Sequence, residues 1–336
     1  LEQELDAARK LETETNDLLA KAFIASVLSH KSKLCKNQKQ YDDSILFAQQ
    51  SLEILEEIAR IEESVETERQ ITGVLVNLGE LCSIHSDKEK HVSAGKYLIE
   101  AVDRKRKLAD RTDLDRDWEQ LAASYNHLGS FYKDRGDFAH SIESYQQCIS
   151  IHENLYREKD SLDYLILLQT SCHNFAVLLK DMGHPEEAEA VLPKVVNRIR
   201  AHKSQITSAV DISCNTMTYK ELGLVYEDMG KMEKAEFWLK KAEREQRSVV
   251  NATAADEAKI ALADLQIALG QFYIRWYQRR LPGISAPNMI NPQKTPAEVF
   301  NRDFALDQGE LLLNSGLGNL LSVSAAQLIQ QKTARQ

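Results

Sequence analysis

A five-residue block of this sequence returns at a fixed interval. Leu128-Gly129-Ser130-Phe131-Tyr132 reappears 94 residues later as Leu222-Gly223-Leu224-Val225-Tyr226, and the midpoint holds Phe175-Ala176-Val177-Leu178-Leu179. A further 47 residues beyond Gly223 stands Leu269-Gly270-Gln271-Phe272-Tyr273. In the other direction Gly79 precedes Gly129 by 50 residues and Ser32 precedes Gly79 by 47, so a small residue stands at all six equivalent points. A period in this range means one supersecondary unit stacked on copies of itself. The single irregular step is an insertion. Ala94, Ser141, Ala188 and Ala235 are again 47 apart, so the three extra residues lie between Gly79 and Ala94, and a turn from Ser86 to Val92 is expected to hold them.

Each unit follows one plan: an apolar helix face with a small residue, a turn, and a second helix. Gly136, Gly183 and Gly230 mark the turn, where a helix C-terminus commonly closes through a residue at positive φ. The second helices carry Ser141, Tyr145 and Cys148, then Ala188, Leu192 and Val195, then Ala235, Leu239 and Ala242, spaced by four and three to make one stripe. With only 13 Gly and 6 Pro in 336 residues, and many Ala, Leu, Glu, Lys and Gln, the composition favours helix and leaves little for sheet. A lone hairpin cannot bury its apolar face. Stacked hairpins share a continuous core, and the predicted fold is an all-α curved solenoid with a concave inner wall.

These residues resemble the tetratricopeptide repeat family, whose signature is Leu-Gly, then Tyr, Gly, Ala, an aromatic or Leu, and Ala at fixed offsets. The resemblance covers residues 25–280 as five full units and the first helix of a sixth, and it implies a right-handed superhelical solenoid of antiparallel hairpins. The period exceeds the family's usual ~34 residues, Lys31 stands where Leu is usual, and Cys35 and Cys82 replace Tyr. Longer units with Asn before Leu-Gly are similar to the repeats of kinesin light chain and LGN, and to those in sensor regions of large signalling NTPases. Residues 1–24 read as an N-terminal capping helix or the stub of an earlier repeat. Pro282, Pro287 and Pro292 make 281–295 a linker. In 296–336 a helix is expected from Thr295-Pro296-Ala297-Glu298 to about Asn314 and a second over Leu317 to Gln331, as a C-terminal cap or a segment that occupies the groove.

The sequence contains no phosphate loop, zincin or serine-hydrolase motif, so no enzymatic activity and no cofactor are expected. His85 and His91 beside Asp87 and Glu89 read as a solvated charged turn rather than a metal site. Cys35, Cys82, Cys148, Cys172 and Cys214 are odd in number and lack metal spacing, which points to reduced thiols used as small hydrophobes and to the cytoplasm. A formal charge of −9 argues against nucleic acid. Mean hydropathy of −0.42 and the lack of any run near 18 apolar residues argue against a membrane span. The chain begins at Leu1 rather than Met, which suggests a fragment and keeps alive the alternative of a sensor arm of a larger signalling enzyme.

Function is expected on the first helices. The residues one and two places before the Leu of each Leu-Gly pair, or its equivalent, are His30, Asn77, Asn126, His127, His173 and Asn174, with Lys220 and Glu221 in the fifth unit. By resemblance Asn77 and Asn174 would grip the backbone of an extended peptide, because one amide both donates and accepts. The alternative use is a hydrogen bond between repeats. Lys33, Lys36, Lys133, Lys180 and Lys220 share these faces, which would favour an acidic peptide, although helix C-termini attract cations in any case. The expected partner is therefore a protein or peptide segment, acidic in one version, and the chain's own tail in another.

Overall fold

The computed structural model describes residues 10, 17–202, 206, 208–253 and 255–280. Among these it contains helices α1 (Leu18–Asn37), α2 (Tyr41–Ile61), α3 (Val65–Ile84), α4 (Lys88–Thr112), α5 (Asp115–Asp134), α6 (Phe138–Lys159), α7 (Leu162–Asp181), α8 (Pro185–Ala201), α9 (Ala209–Asp228), α10 (Met232–Thr253) and α11 (Asp256–Arg280), and no strand. The chain divides into two compact units, Leu1–Lys159 and Asp160–Gln336. The first stacks the hairpins α1–α2, α3–α4 and α5–α6; the second stacks α7–α8 and α9–α10 and adds α11 against α9 and α10. Of the expected N-terminal cap, only residues 10 and 17–24 are described. The 281–295 linker and the 296–336 tail lie outside the described residues.

Four of the five described hairpins close in one way. Gly136 (φ 73°), Gly183 (φ 83°) and Gly230 (φ 72°) hold the left-handed conformation, and the amide of the residue after each donates back to the preceding helix, as from Asp137 to the Tyr132 carbonyl at 3.0 Å. In the first hairpin Lys39 takes the same conformation (φ 62°) with the same bond, Gln40 to the Cys35 carbonyl at 2.9 Å. The α3–α4 hairpin differs, and the structure corrects the expectation of a longer turn. Its connection, 85–87, is no longer than 135–137 or 182–184, and residues 88–92 are helical. The extra residues extend the start of α4, where the Asp87 side chain accepts from the Glu89 amide at 2.9 Å and good helix formers follow. Lengthening a helix at its free end leaves the register of the packed part intact.

The small residues are where paired helices touch. A Cβ added to Gly79 would stand 2.5 Å from Leu98 Cγ, and one at Gly223 2.7 Å from Leu239 Cγ. Where serine takes the facing position, its hydroxyl donates across the contact: Ser44 to the Ser32 carbonyl and Ser141 to the Gly129 carbonyl, both at 2.7 Å. Two residues after the small one, Leu81 and Phe131 are buried in the first unit, and Leu178, Val225 and Phe272 in the second. Their counterpart Leu34 is 47% exposed, and beside it Lys31 replaces the usual Leu, a polar choice that keeps the outer face of this hairpin compatible with water. By length and composition α7 is apolar enough to cross a bilayer, contrary to the expectation that no segment is. Its Leu165, Leu168, Phe175, Leu178 and Leu179 are buried in packing against α8 and α9.

Ion pairs repeat the period. Arg69 and Asp117, Arg104 and Glu56, and Arg275 and Glu227 join equivalent helices of neighbouring hairpins across 48 residues, and Arg111 of α4 reaches Glu63, in the connection before α3, across the same 48. Asp117 is the most buried member: it accepts from Arg69 Nε at 2.9 Å and Nη2 at 2.7 Å, and from Thr112 Oγ1 at 2.7 Å.

Candidate functional site

On every first helix, the residues 13 and 6 places before the small residue and the one after it fall on one stripe, because seven residues nearly complete two helical turns. In the first unit this stripe reads Leu19, Ser26, Lys33 on α1, Glu66, Gly73, Glu80 on α3, and Arg116, Ala123, Ser130 on α5. Between α1 and α3 it opens into a cavity of about 230 Å³. Ala25, Leu55 and Val74 give it apolar lining; Ser26, Ser29, Lys33, Gln70 and Asn77 give it polar lining. Gly73 also lines it, and a Cβ placed on that glycine would meet nothing within 4 Å. A glycine in mid-helix costs roughly 0.5–1 kcal/mol relative to alanine. At Gly79 close packing explains the glycine; at Gly73 no packing does.

The nominated residues divide into used and open groups. Asn77 lines the cavity but also donates through Nδ2 to Ser32 Oγ at 3.0 Å, the hydrogen bond between repeats that was the alternative use of this amide. His30 is exposed, with Nδ1 2.8 Å from the Ser26 carbonyl. Lys33 is exposed at the cavity edge, and Lys133 is half-buried; neither has an ion-pair partner among the described residues. Lys36 pairs with Glu80 at 2.6 Å, and Glu80 also meets His127 Nδ1 at 3.0 Å, so three first helices share one charge chain. The His127 hydrogen bond, with help from Lys36, holds the Glu80 carboxyl at about 2 despite its partial burial. Asn126 is half-buried on α5.

In the second unit His173 and Asn174 are half-buried on α7. Lys180 lies 3.6 Å from Glu221 and 3.4 Å from Asp181, and Lys220 lies 2.5 Å from Asp264. Burial pushes the Glu221 carboxyl up, with Lys180 opposing. The lysines that suggested a basic face are thus largely matched by carboxylates; Lys36–Glu80 and Lys220–Asp264 are both 44 residues apart in sequence. Sequence reasoning did not single out Gly73 or Gln70. The available signal was a glycine at an outward register of α3 where the next helix has Ala123.

Other chemistry-bearing groups serve the framework. His85 is 3.2 Å from Asp42, Lys90 also pairs with Asp42, and no metal-binding group of His, Cys, Asp or Glu occurs among the described residues. Cys148 Sγ lies 3.8 Å from His152 Nδ1, with both side chains buried, and burial pushes the His152 imidazole down to about 4. Burial likewise raises the thiols of Cys82 and Cys214, so they are poor nucleophiles. At the end of α11 Tyr273 donates to Glu236 at 2.5 Å and Arg275 binds Glu227 through two nitrogens at 2.6 and 2.9 Å. These residues join α11 to its own unit rather than standing open for a partner.

A sequence profile for the tetratricopeptide repeat matches residues 218–248, which contain most of the α9–α10 hairpin. A second profile, described as a protein of unknown function (DUF2753), matches residues 116–211. No curated protein sequence matches the chain. Among solved structures the chain is similar to BtubC (BKLC) from P. vanneervenii, at 16% identity over 87% of this chain and 96% of that one, with a TM-score of 0.55. It is also similar to the nuclear import adaptor Nro1 of S. pombe, at 15% identity over 92% of this chain and 100% of that one, TM-score 0.55. Aspartyl phosphate phosphatase F from Bacillus subtilis gives 11% identity over 95% of this chain and 73% of that one, TM-score 0.56. At such identities the likeness is one of fold, and the fold is a helical-repeat solenoid of the tetratricopeptide type.

Proposed function

We propose that this tetratricopeptide-repeat chain is a non-enzymatic interaction module whose first unit holds an extended protein segment on the face of its first helices. The observation that carries the reading is the cavity at Gly73. An apolar floor under a few converging polar groups suits one anchoring side chain of a segment, while Ser29, Gln70 and Asn77 suit its backbone. Lys33, exposed at the rim, favours a carboxylate beside that anchor, so the preferred segment is apolar at one position and acidic next to it. The stripe continues over the half-buried Ala123 and Ser130 of α5, beside Asn126 and His127. Five thiols without disulfides fit a reducing compartment, and the same proposal places the protein in the cytoplasm.

Selection of binders from a random peptide library on the intact chain supplies the probe. Gly73→Trp fills the cavity from an exposed position, so selected peptides should bind the variant at least ~10-fold more weakly, a loss of about 1.4 kcal/mol. The melting temperature should stay level or rise, because a helix-destabilising glycine has gone. Equal affinity for both proteins would show that the cavity is not the seat. Asn77→Ala is the less clean variant, since it also removes the bond to Ser32.

A further inference from the structure

In the second unit the outward stripe changes character on one helix only. Its residues are Asp163, Thr170 and Val177 on α7 and Glu257, Asp264 and Gln271 on α11, but Val210, Met217 and Leu224 on α9. Val210 is 70% and Met217 55% exposed, and Leu224 is half-buried. The opposite side of α9 already packs through Tyr219, Leu222, Val225 and Tyr226, so this helix is apolar on both faces. An exposed apolar row about 21 Å long calls for a cover. The row is flanked by Lys220, bridged to Asp264, and by Lys180, bridged to Glu221.

We propose that the occupant is the chain's own segment 296–314. It follows α11, which packs against α9. Its sequence sets Phe300, Phe304 and Leu311 at helical spacing. As a helix the segment would be about 28 Å long, enough to cover it. The 15 residues from Leu281 to Thr295 span up to about 50 Å when extended, more than the length of α9, so the segment can reach either end. Seated there, it covers the exposed face of one first helix. This seat is separate from the cavity at Gly73, and its failure would leave the reading of the first unit untouched.

Amide hydrogen exchange on the 336-residue chain tests the proposal. In the unmodified chain, residues 296–314 should exchange at least ~10-fold more slowly than a free chain of the same sequence, at every protein concentration. Met217→Glu, an exposed position whose change leaves the fold intact, should return the segment to free-chain exchange, and Phe304→Glu should do so from the other side of the contact. Free-chain exchange in the unmodified protein would overturn the proposal. So would protection that survives Met217→Glu, or protection that appears only as the protein dimerises, which would assign the row to a second copy.

Discussion

Gly79→Val is expected to destabilise the protein by about 2–3 kcal/mol, while Gly73→Val on the same helix should be neutral or stabilising. The added Cβ at Gly79 would sit 2.5 Å from Leu98 Cγ and 2.6 Å from its Cδ2, inside contact distance of a fully buried side chain. Leu98 lies buried in one core cluster with Ala101, Val102 and Phe131, which leaves it little room to retreat. Overpacking of this kind costs about 1–3 kcal/mol and outweighs the few tenths gained by removing a glycine from a helix. The check is chemical denaturation of both variants beside the parent, read as a change in midpoint. Equal stability of the two variants would mean that α3 and α4 do not approach through Gly79, and the register assigned to every hairpin would fall with it.

Asp117→Ala should cost on the order of 2–4 kcal/mol. The Asp117 side chain is 2% exposed, and its loss leaves the Arg69 guanidinium, 19% exposed, with only the peripheral Glu66 at 3.5 Å. Breaking one side of a buried pair typically costs 3–5 kcal/mol, reduced here because Arg69 keeps some access to water. The Arg69 hydrogen bonds, aided by Thr112, hold the Asp117 carboxyl below the usual carboxylate range. Its contribution is therefore fully present above pH ~4 and is lost as pH falls through the lowered value. The gap between parent and variant should be widest near neutrality and shrink below pH ~4; a gap independent of pH would mean that the aspartate acts through packing and not through its charge.

The hairpin plan was legible because it rests on short-range rules. Six small residues spaced by 47 except for one step of 50, with Gly136, Gly183 and Gly230 following at the same 47, fix helix, turn and helix from local sequence alone. The three-residue insertion was visible, but its place was not: a spacing cannot tell a longer loop from a longer helix, and Asp87 with the helix formers after it decided for helix. The pairing of charge on the first helices was not legible, because Lys36 and Lys220 find carboxylates 44 residues away, on the next hairpin. Those pairings require knowing which turns of neighbouring helices lie level, and that emerges only when the stack is built. Asn77 stood out in the sequence, yet its bond to Ser32 depends on the same cross-hairpin alignment. Gly73 went unnoticed for the opposite reason. An isolated glycine inside a helix reads as a blemish until the space around its missing side chain is known.

The central claim is that a partner segment lies over the outward stripe of α1, α3 and α5, and site-specific photocrosslinking measures this directly. A photoreactive side chain is placed in the 336-residue chain at position 73, at 123, or at the exposed Lys96 of α4, and each protein is irradiated with a peptide selected on the unmodified chain. Crosslinks are expected from 73 and 123 to different residues of the peptide, in a constant order along it, and none from 96. Crosslinks from 96, or none from 73 and 123 with a peptide that demonstrably binds, would contradict the claim.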